Sequence, residues 1–278
     1  MEPLGPAWPD YALLDSGDGA KLERFGIHTV VREELLAKHT RTLPPSEWDK
    51  ADAIHTEDDG WQLNRETPEN WPIQFGPLTL KIRPASGFKH VGLFPEQAPQ
   101  WQWLLDRKIP RETEQPRLLN LFGHTGAASL AAAKAGYAVT HVDSSKPALN
   151  LARENQKLSN LVESPIRWIH EDATKFVERE QKRGNLYHAI LLDPPAFGHG
   201  PKGQAWQIEK NLPPLLKKLV RLLEKPFHFL FLNLYAGDFS IQSLKHLLEN
   251  KGNIEHGNFN LRAENGPSLK MSNWLRLE

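Results

Sequence analysis

Asp193-Pro194-Pro195-Ala196-Phe197 is the stretch of this chain best suited to hold a reacting group. Two consecutive prolines cannot extend a strand's ladder or open an ordinary helix, so they freeze an extended turn. A carboxylate and a main-chain carbonyl in such a turn can both accept hydrogens from a donor group, and Phe197 offers a face for stacking a planar base. A rigid surface loop is the plainer alternative. Upstream, Phe122-Gly123-His124-Thr125-Gly126 follows an apolar run and precedes an alanine-rich one. Glycines at a strand-to-helix turn let the backbone approach a ligand and aim helix amides at it, although a simple tight turn has the same composition. Asp143 comes 20 positions after Gly123, the spacing at which an acid accepts hydrogen bonds from ribose hydroxyls. Asp143, Ser144 and Ser145 are equally good helix caps. In Glu171-Asp172-Ala173, Asp172 is placed either to receive an adenine amino group or to cap a helix.

These four signals need four strands to carry them, and the pattern supplies them. Apolar runs at 117–122, 138–142, 166–169 and 188–192 alternate with helical stretches at 127–135, 147–158, 174–182 and 213–223. A strand at 227–232 and a helix at 240–250 follow. Such alternation implies a parallel sheet covered on both faces, with ligands received at the carboxyl ends of its strands. The runs Phe259-Asn260-Leu261 and Trp274-Leu275-Arg276-Leu277 read as a closing antiparallel hairpin. The expected class is therefore α/β: a Rossmann-like, doubly wound, mostly parallel seven-stranded sheet. Before it, short apolar runs separated by Pro, Gly and acidic residues read as a small β-rich domain, with a turn at Asp15–Gly19. The expected domains are 1–75 and 76–278. A short helix over Gln100–Lys108 leads into the second.

Composition narrows the chemistry. The chain has no cysteine, which removes disulfides, thiolate metal sites and cysteine nucleophiles together. His28, His39, His55, His90 and His124 share no ligand spacing, so no metal is expected. No run approaches the ~20 apolar residues a membrane helix needs. Met1–Pro6 lacks the regions of a secretory leader, which makes the cytoplasm the expected location. Net charge is +0, so a nucleic-acid site has to be a local basic patch. A nucleotide-binding dehydrogenase accounts for the first two signals only. It also wants a further glycine where this chain has Ala128 and Ser129.

The segments Leu119–Gly126, Val142–Ser145, Glu154-Asn155 and Leu192–Phe197 resemble those of class I S-adenosylmethionine-dependent methyltransferases related to bacterial 23S ribosomal RNA methyltransferases. Phe88–Gln97 and Phe197–Gly203 resemble a less characterised branch of that group. The resemblance covers most of the chain from about Phe75 onward. It implies S-adenosyl-L-methionine as cofactor, with Phe122, Gly123, Thr125 and Gly126 around its methionine part. Asp143 would then hold the ribose and Asp172 the adenine, with Ser144 and Ala173 also among the cofactor-binding residues. Asp193 and Pro194 would border the transferred methyl, and Gln97 would reach in from the preceding loop. Relatives that methylate carbon 5 of cytosine use a cysteine thiolate. Here the late-strand region reads Leu232-Asn233-Leu234-Tyr235-Ala236, so that route is closed.

The remaining acceptors are a nitrogen or oxygen whose own lone pair attacks, and the expected reaction is methyl transfer to a nitrogen of an RNA base, guanine in ribosomal RNA first, with Asp193, Pro194 and Phe197 holding the acceptor. Lys81, Arg83, Lys89, His90 and Lys202 are candidates for phosphate contacts or ordinary solvated surface. A methyltransferase for a protein or small molecule, which neutral charge favours, and a non-catalytic cofactor-binding module remain as alternatives.

Overall fold

The computed structural model describes residues 8–84, 89–109, 115–226, 228–235, 241–248 and 251–278. Met1–Pro6, Phe88, Phe227, Ala236, Ser240 and Asn250, used in the sequence reading, lie outside them. The chain divides into two compact units: Met1–Pro99 with Asn260–Met271, and Gln100–Phe259 with Ser272–Glu278.

The first unit contains β1 (Tyr11–Gly17), β2 (Ala20–Phe25), β3 (His28–Glu33), the single helical turn α1 (Pro45–Trp48), β4 (Ala53–Thr56) and β5 (Gly60–Leu63). They form a five-stranded sheet in sequence order, antiparallel except for the β3–β4 pair. The expected turn at Asp15–Gly19 is shorter: β1 runs to Gly17, and the turn proper is Asp18 (φ 50°) and Gly19 (φ 77°). Asp15 and Ser16 instead belong to β1 and are buried. Asp15 accepts hydrogen bonds from the amides of Thr42 and Leu43 (3.0 and 2.8 Å) and from Trp48 Nε1 (3.2 Å), so its charge is spent inside the unit. A separate hairpin follows, β6 (Trp71–Phe75) and β7 (Leu78–Ile82), turning at Gly76 with φ 51°. The boundary expected at 75/76 would cut this hairpin, whereas the compact unit runs on to Pro99.

After α2 (Ala98–Leu105) come β8 (Arg117–Leu121), α3 (Ala127–Lys134), β9 (Ala138–Asp143), α4 (Lys146–Leu158), β10 (Ile166–His170), α5 (Ala173–Arg183) and β11 (Ala189–Leu192). The chain continues through β12 (Phe197–His199), β13 (Ala205–Gln207), α6 (Ile208–Val220), β14 (Phe229–Leu234), α7 (Ile241–Leu248), β15 (Ile254–Leu261) and β16 (Leu269–Leu277). The sheet order is β10-β9-β8-β11-β14-β16-β15. β8 to β11 and β14 run parallel, and β16 runs antiparallel to β14. β11 is Ala-Ile-Leu-Leu, buried throughout, as a strand covered on both faces must be. Leu119, Leu121, Phe176, Ile190, Leu216 and Leu232 share one core cluster.

Two elements depart from the sequence reading. α6 begins at Ile208, not at Pro213, so Pro213 and Pro214 lie inside it. Each proline forfeits one helical hydrogen bond, but Ile208, Leu212, Leu215, Leu216 and Leu219 form a buried stripe that carries the helix through them. The segment after the double proline is also no mere rigid turn: β12 and β13 pair as a small antiparallel hairpin.

His141 in β9 is buried and neutral. Burial first, and the neighbouring His124 second, bring its pKa from 6.5 down to about 3. Burial, with His188 and Arg107, likewise brings His228 down to about 4. Between pH 6.5 and 4 the unfolded chain therefore binds protons that the folded chain refuses. Stability should fall as pH falls through that window, by up to about 1.4 kcal/mol per pH unit for each group. Urea midpoints measured from pH 7.5 to 4.5 test this, and His141→Asn should flatten the slope by about one proton.

Candidate functional site

Because β8 to β11 are parallel, their carboxyl ends share one edge of the sheet. β8 continues to β9 and β10 on one side, while β11 lies on its other side. This reversal of strand order is where doubly wound sheets open a crevice. Phe122 and Asp193 follow the two strands that flank it, and the amide of Asp193 donates to the carbonyl of Leu121 (3.3 Å).

The loop after β8 is shaped by unusual backbone and by what lies beneath it. Phe122 (φ 56°) and His124 (φ 51°) both adopt the left-handed conformation that non-glycine residues rarely take. Asp143, the last residue of β9, holds that turn: Oδ2 accepts from the amide of His124 (2.8 Å) and Oδ1 from the amide of Ser145 (2.7 Å). Below the loop, Asn120 Nδ2 lies 2.9 Å from Ser129 Oγ, which lies 2.9 Å from His141 Nδ1. A Cβ on Gly123 would stand 2.6 Å from His141 Nδ1 and 2.9 Å from Asn120 Nδ2. Glycine is therefore demanded here by the polar cluster under the turn. Asn155 Nδ2 pins the loop from α4 by donating to the carbonyl of Thr125 (3.0 Å), and Gly126 opens α3 at φ 88°.

An open cleft, about 340 Å3 of space counted out into solvent, lies along this edge. One side comes from the sheet: Phe122, Val142, Asp143, Ser144, and the run Glu171, Asp172 and Ala173 after β10. The other comes from Pro195 and from the β12–β13 hairpin with Gly198, His199, Gly200 and Trp206. Phe122 and Trp206 meet with ring centroids 4.8 Å apart, and Trp206 Nε1 donates to the carbonyl of Pro195 (2.7 Å). Asp172 caps α5, with Oδ1 accepting from the amide of Lys175 (2.9 Å). The capping and ligand readings of Asp172 are thus compatible, since Oδ2 is a second acceptor on the same carboxylate.

Of the sequence candidates, Phe122, Asp143, Ser144, Asp172 and Ala173 line one cleft. Gly123, Thr125 and Gly126 build the loop that carries Phe122; Thr125 is buried. Asp193 and Pro194 stand at the end of β11, immediately before lining residue Pro195. Phe197 is 70% exposed. Gln97 ends the helical turn Pro95–Gln97 and belongs to the first unit, as do Lys81, Arg83, Lys89 and His90; Lys202 is in the second. Sequence reasoning missed the hairpin wall, above all Trp206. Its one legible signal is Gly200-Pro201-Lys202-Gly203, the composition of a tight turn. Among the described residues, no three His, Cys, Asp or Glu side chains gather to hold a metal, and no helix is long and apolar enough to cross a membrane.

Comparison with known proteins agrees with this fold. A family model described as "Conserved hypothetical protein 95" matches residues 101–212. The solved structure of a SAM-dependent methyltransferase from Agrobacterium tumefaciens is 40% identical, with a TM-score of 0.90, and the match covers 98% of this chain and 91% of that one. The ribosomal RNA large subunit methyltransferase I of Aeromonas salmonicida is 29% identical over 175 residues, 60% of this chain and 43% of that protein. Its namesake in Escherichia coli K12 is 27% identical over 203 residues, 66% of this chain and 49% of that one. The chain thus spans under half the length of these two relatives.

Proposed function

Because this chain belongs to the class I S-adenosylmethionine-dependent methyltransferases, we propose that it methylates a nitrogen of an RNA base, in ribosomal RNA, and that the cleft beside β8 and β9 holds its cofactor. The observation that carries the site assignment is that Asp143 and Asp172, from consecutive parallel strands, line one cleft, while Asp193-Pro194 follows the strand on the other side of β8. The donor set fits an adenosine: two carboxylates to accept from hydroxyl and amino groups, and Phe122, Val142 and Trp206 as apolar walls.

When bound, S-adenosylmethionine supplies a methyl already activated on a sulfonium, which leaves the protein mainly alignment and exclusion of water. Asp143 would accept from the ribose hydroxyls while its existing bonds hold the His124 turn. Asp172 would accept from the adenine amino group. Asp193 and the carbonyl of Pro194 would orient the acceptor's own lone pair along the line of attack, with Phe197 stacked on the extruded base. The carbonyl of Pro195 is engaged by Trp206, so Pro194 is the proline of the pair to serve here. A chain with no cysteine cannot form the thiolate adduct that carbon-5 methylation of cytosine uses, which is why a nitrogen acceptor is preferred. The ribosomal RNA assignment draws on the names of the curated relatives.

Tritium transfer from labelled S-adenosylmethionine to bulk RNA of a strain lacking the protein tests the proposal. Mass spectrometry of its ribosomal RNA nucleosides then identifies the product. RNA binding should weaken steeply between 50 and 200 mM salt if phosphates are contacted, with a slope of about 0.9 per neutralised phosphate on a duplex. Zero net charge favours a second reading, a protein or small-molecule acceptor; salt-insensitive RNA binding would support it. Cofactor binding with no transfer to any of these acceptors would leave a binding module.

A further inference from the structure

We propose that the β12–β13 hairpin is the specificity wall of the cofactor cleft, and that Gly200 is the residue setting its width opposite Asp172. The proposal rests on the reading of that cleft as the adenosine site. Three observations within the second unit carry it. First, the hairpin is built to be stiff. Its tip is the four-residue turn Gly200–Gly203, closed by the amide of Gly203 donating to the carbonyl of Gly200 (3.0 Å), with Pro201 at the second position and Gly203 at φ 75°. The amide of Gly200 donates to the carbonyl of Gln204 (2.7 Å), and Gln204 Oε1 accepts from the amide of Lys202 (3.1 Å).

Second, the wall is anchored at its base. Trp206 is buried to 6% exposure in the main core and ties back to the carbonyl of Pro195 (2.7 Å). The amide of Ile208 donates to the carbonyl of Ala196 (3.0 Å). Third, the tip packs close beside the acid. A Cβ on Gly200 would lie 3.0 Å from Asp172 Oδ2 and would collide with Gln204 Oε1. The Asp172 oxygen not used to cap α5 therefore faces a wall with no side chain of its own. An amino group on the ligand that reaches this oxygen past the bare backbone can donate to the carboxylate. A ligand presenting a carbonyl oxygen at the same point would set acceptor against acceptor, and the stiff hairpin leaves it no room to move aside.

Calorimetry with three probes tests this: S-adenosylhomocysteine, methylthioadenosine, and S-inosylhomocysteine, in which a carbonyl replaces the purine amino group. The wild-type protein should bind the adenosyl form at least tenfold more tightly than the inosyl form. Gly200→Ala should weaken S-adenosylhomocysteine and methylthioadenosine alike, by about 5–10-fold, and narrow the adenosyl-to-inosyl ratio at an unchanged melting temperature. If Gly200→Ala melts early, Gly200→Ala/Gln204→Ala removes the Gln204 collision, keeps the Asp172 contact, and should show the same loss. Unchanged affinities and ratio in a folded variant would overturn the inference, as would a loss confined to S-adenosylhomocysteine. A wild-type protein that binds no S-adenosylhomocysteine would instead sink the underlying cleft assignment.

Discussion

Asp193→Ala is expected to lower the single-turnover rate of methyl transfer by roughly 10²–10³-fold while changing cofactor affinity less than about threefold. The magnitude is that of losing a positioned polar partner at the reacting centre, where a displacement of about 1 Å can cost 10²-fold. The asymmetry comes from the fold. Asp193 follows β11, on the far side of β8 from β9 and β10, whose ends carry Asp143 and Asp172. Its side chain thus stands apart from the carboxylates assigned to the ribose and the adenine, on the strand end that leads through Pro194 and Pro195 to exposed Phe197. Rapid-quench single turnovers at saturating cofactor, with calorimetry on the same variant, separate the two effects. Equal losses of rate and cofactor affinity would place Asp193 on the cofactor and remove it from the acceptor.

Asp143→Ala should show the opposite pattern, with cofactor affinity falling about 5–150-fold, or roughly 1–3 kcal/mol. Two losses combine in this variant. The ribose hydroxyls lose their acceptor, and the amides of His124 and Ser145, now bonded at 2.8 and 2.7 Å, lose theirs. The second loss matters because Phe122 and His124 occupy left-handed backbone conformations that persist only where the surroundings enforce them. Without the carboxylate the turn is free to relax, and Phe122 would leave the cleft with it. Asp143→Asn keeps one carbonyl oxygen but must aim an amide NH2 at one of the two backbone donors, so it should recover only part of the affinity. Full wild-type affinity in both variants would refute the assignment of Asp143.

The contrast between these acids shows why some of the site was legible in sequence and some was not. Asp143 and Asp193 each follow directly on an apolar run, and Asp172 comes three positions after Ile169 at the end of another, so their placement near strand ends follows from local pattern alone. Gly123 was equally visible, but its stated reason was incomplete. The His141–Ser129–Asn120 cluster under the turn by itself excludes a Cβ there. That cluster assembles residues from β8, α3 and β9, and no window of sequence contains it. Trp206 was missed for the same kind of reason. It sits in a short polar stretch with no periodicity, and its role arises from packing on Phe122, 84 positions earlier.

The parallel strands, the helices between them and the acids along one edge were determined by the sequence alone, because hydrophobic period and turn chemistry are local properties that survive in almost any tertiary context. The tertiary structure alone decided three further points: where the first unit ends, that α6 runs through two prolines, and that a hairpin walls the cleft. Each of these depends on contacts between distant segments. The buried stripe of α6 outweighs two forfeited hydrogen bonds only once it has a core to pack against, and the hairpin becomes a wall only when Asp172 faces Gly200.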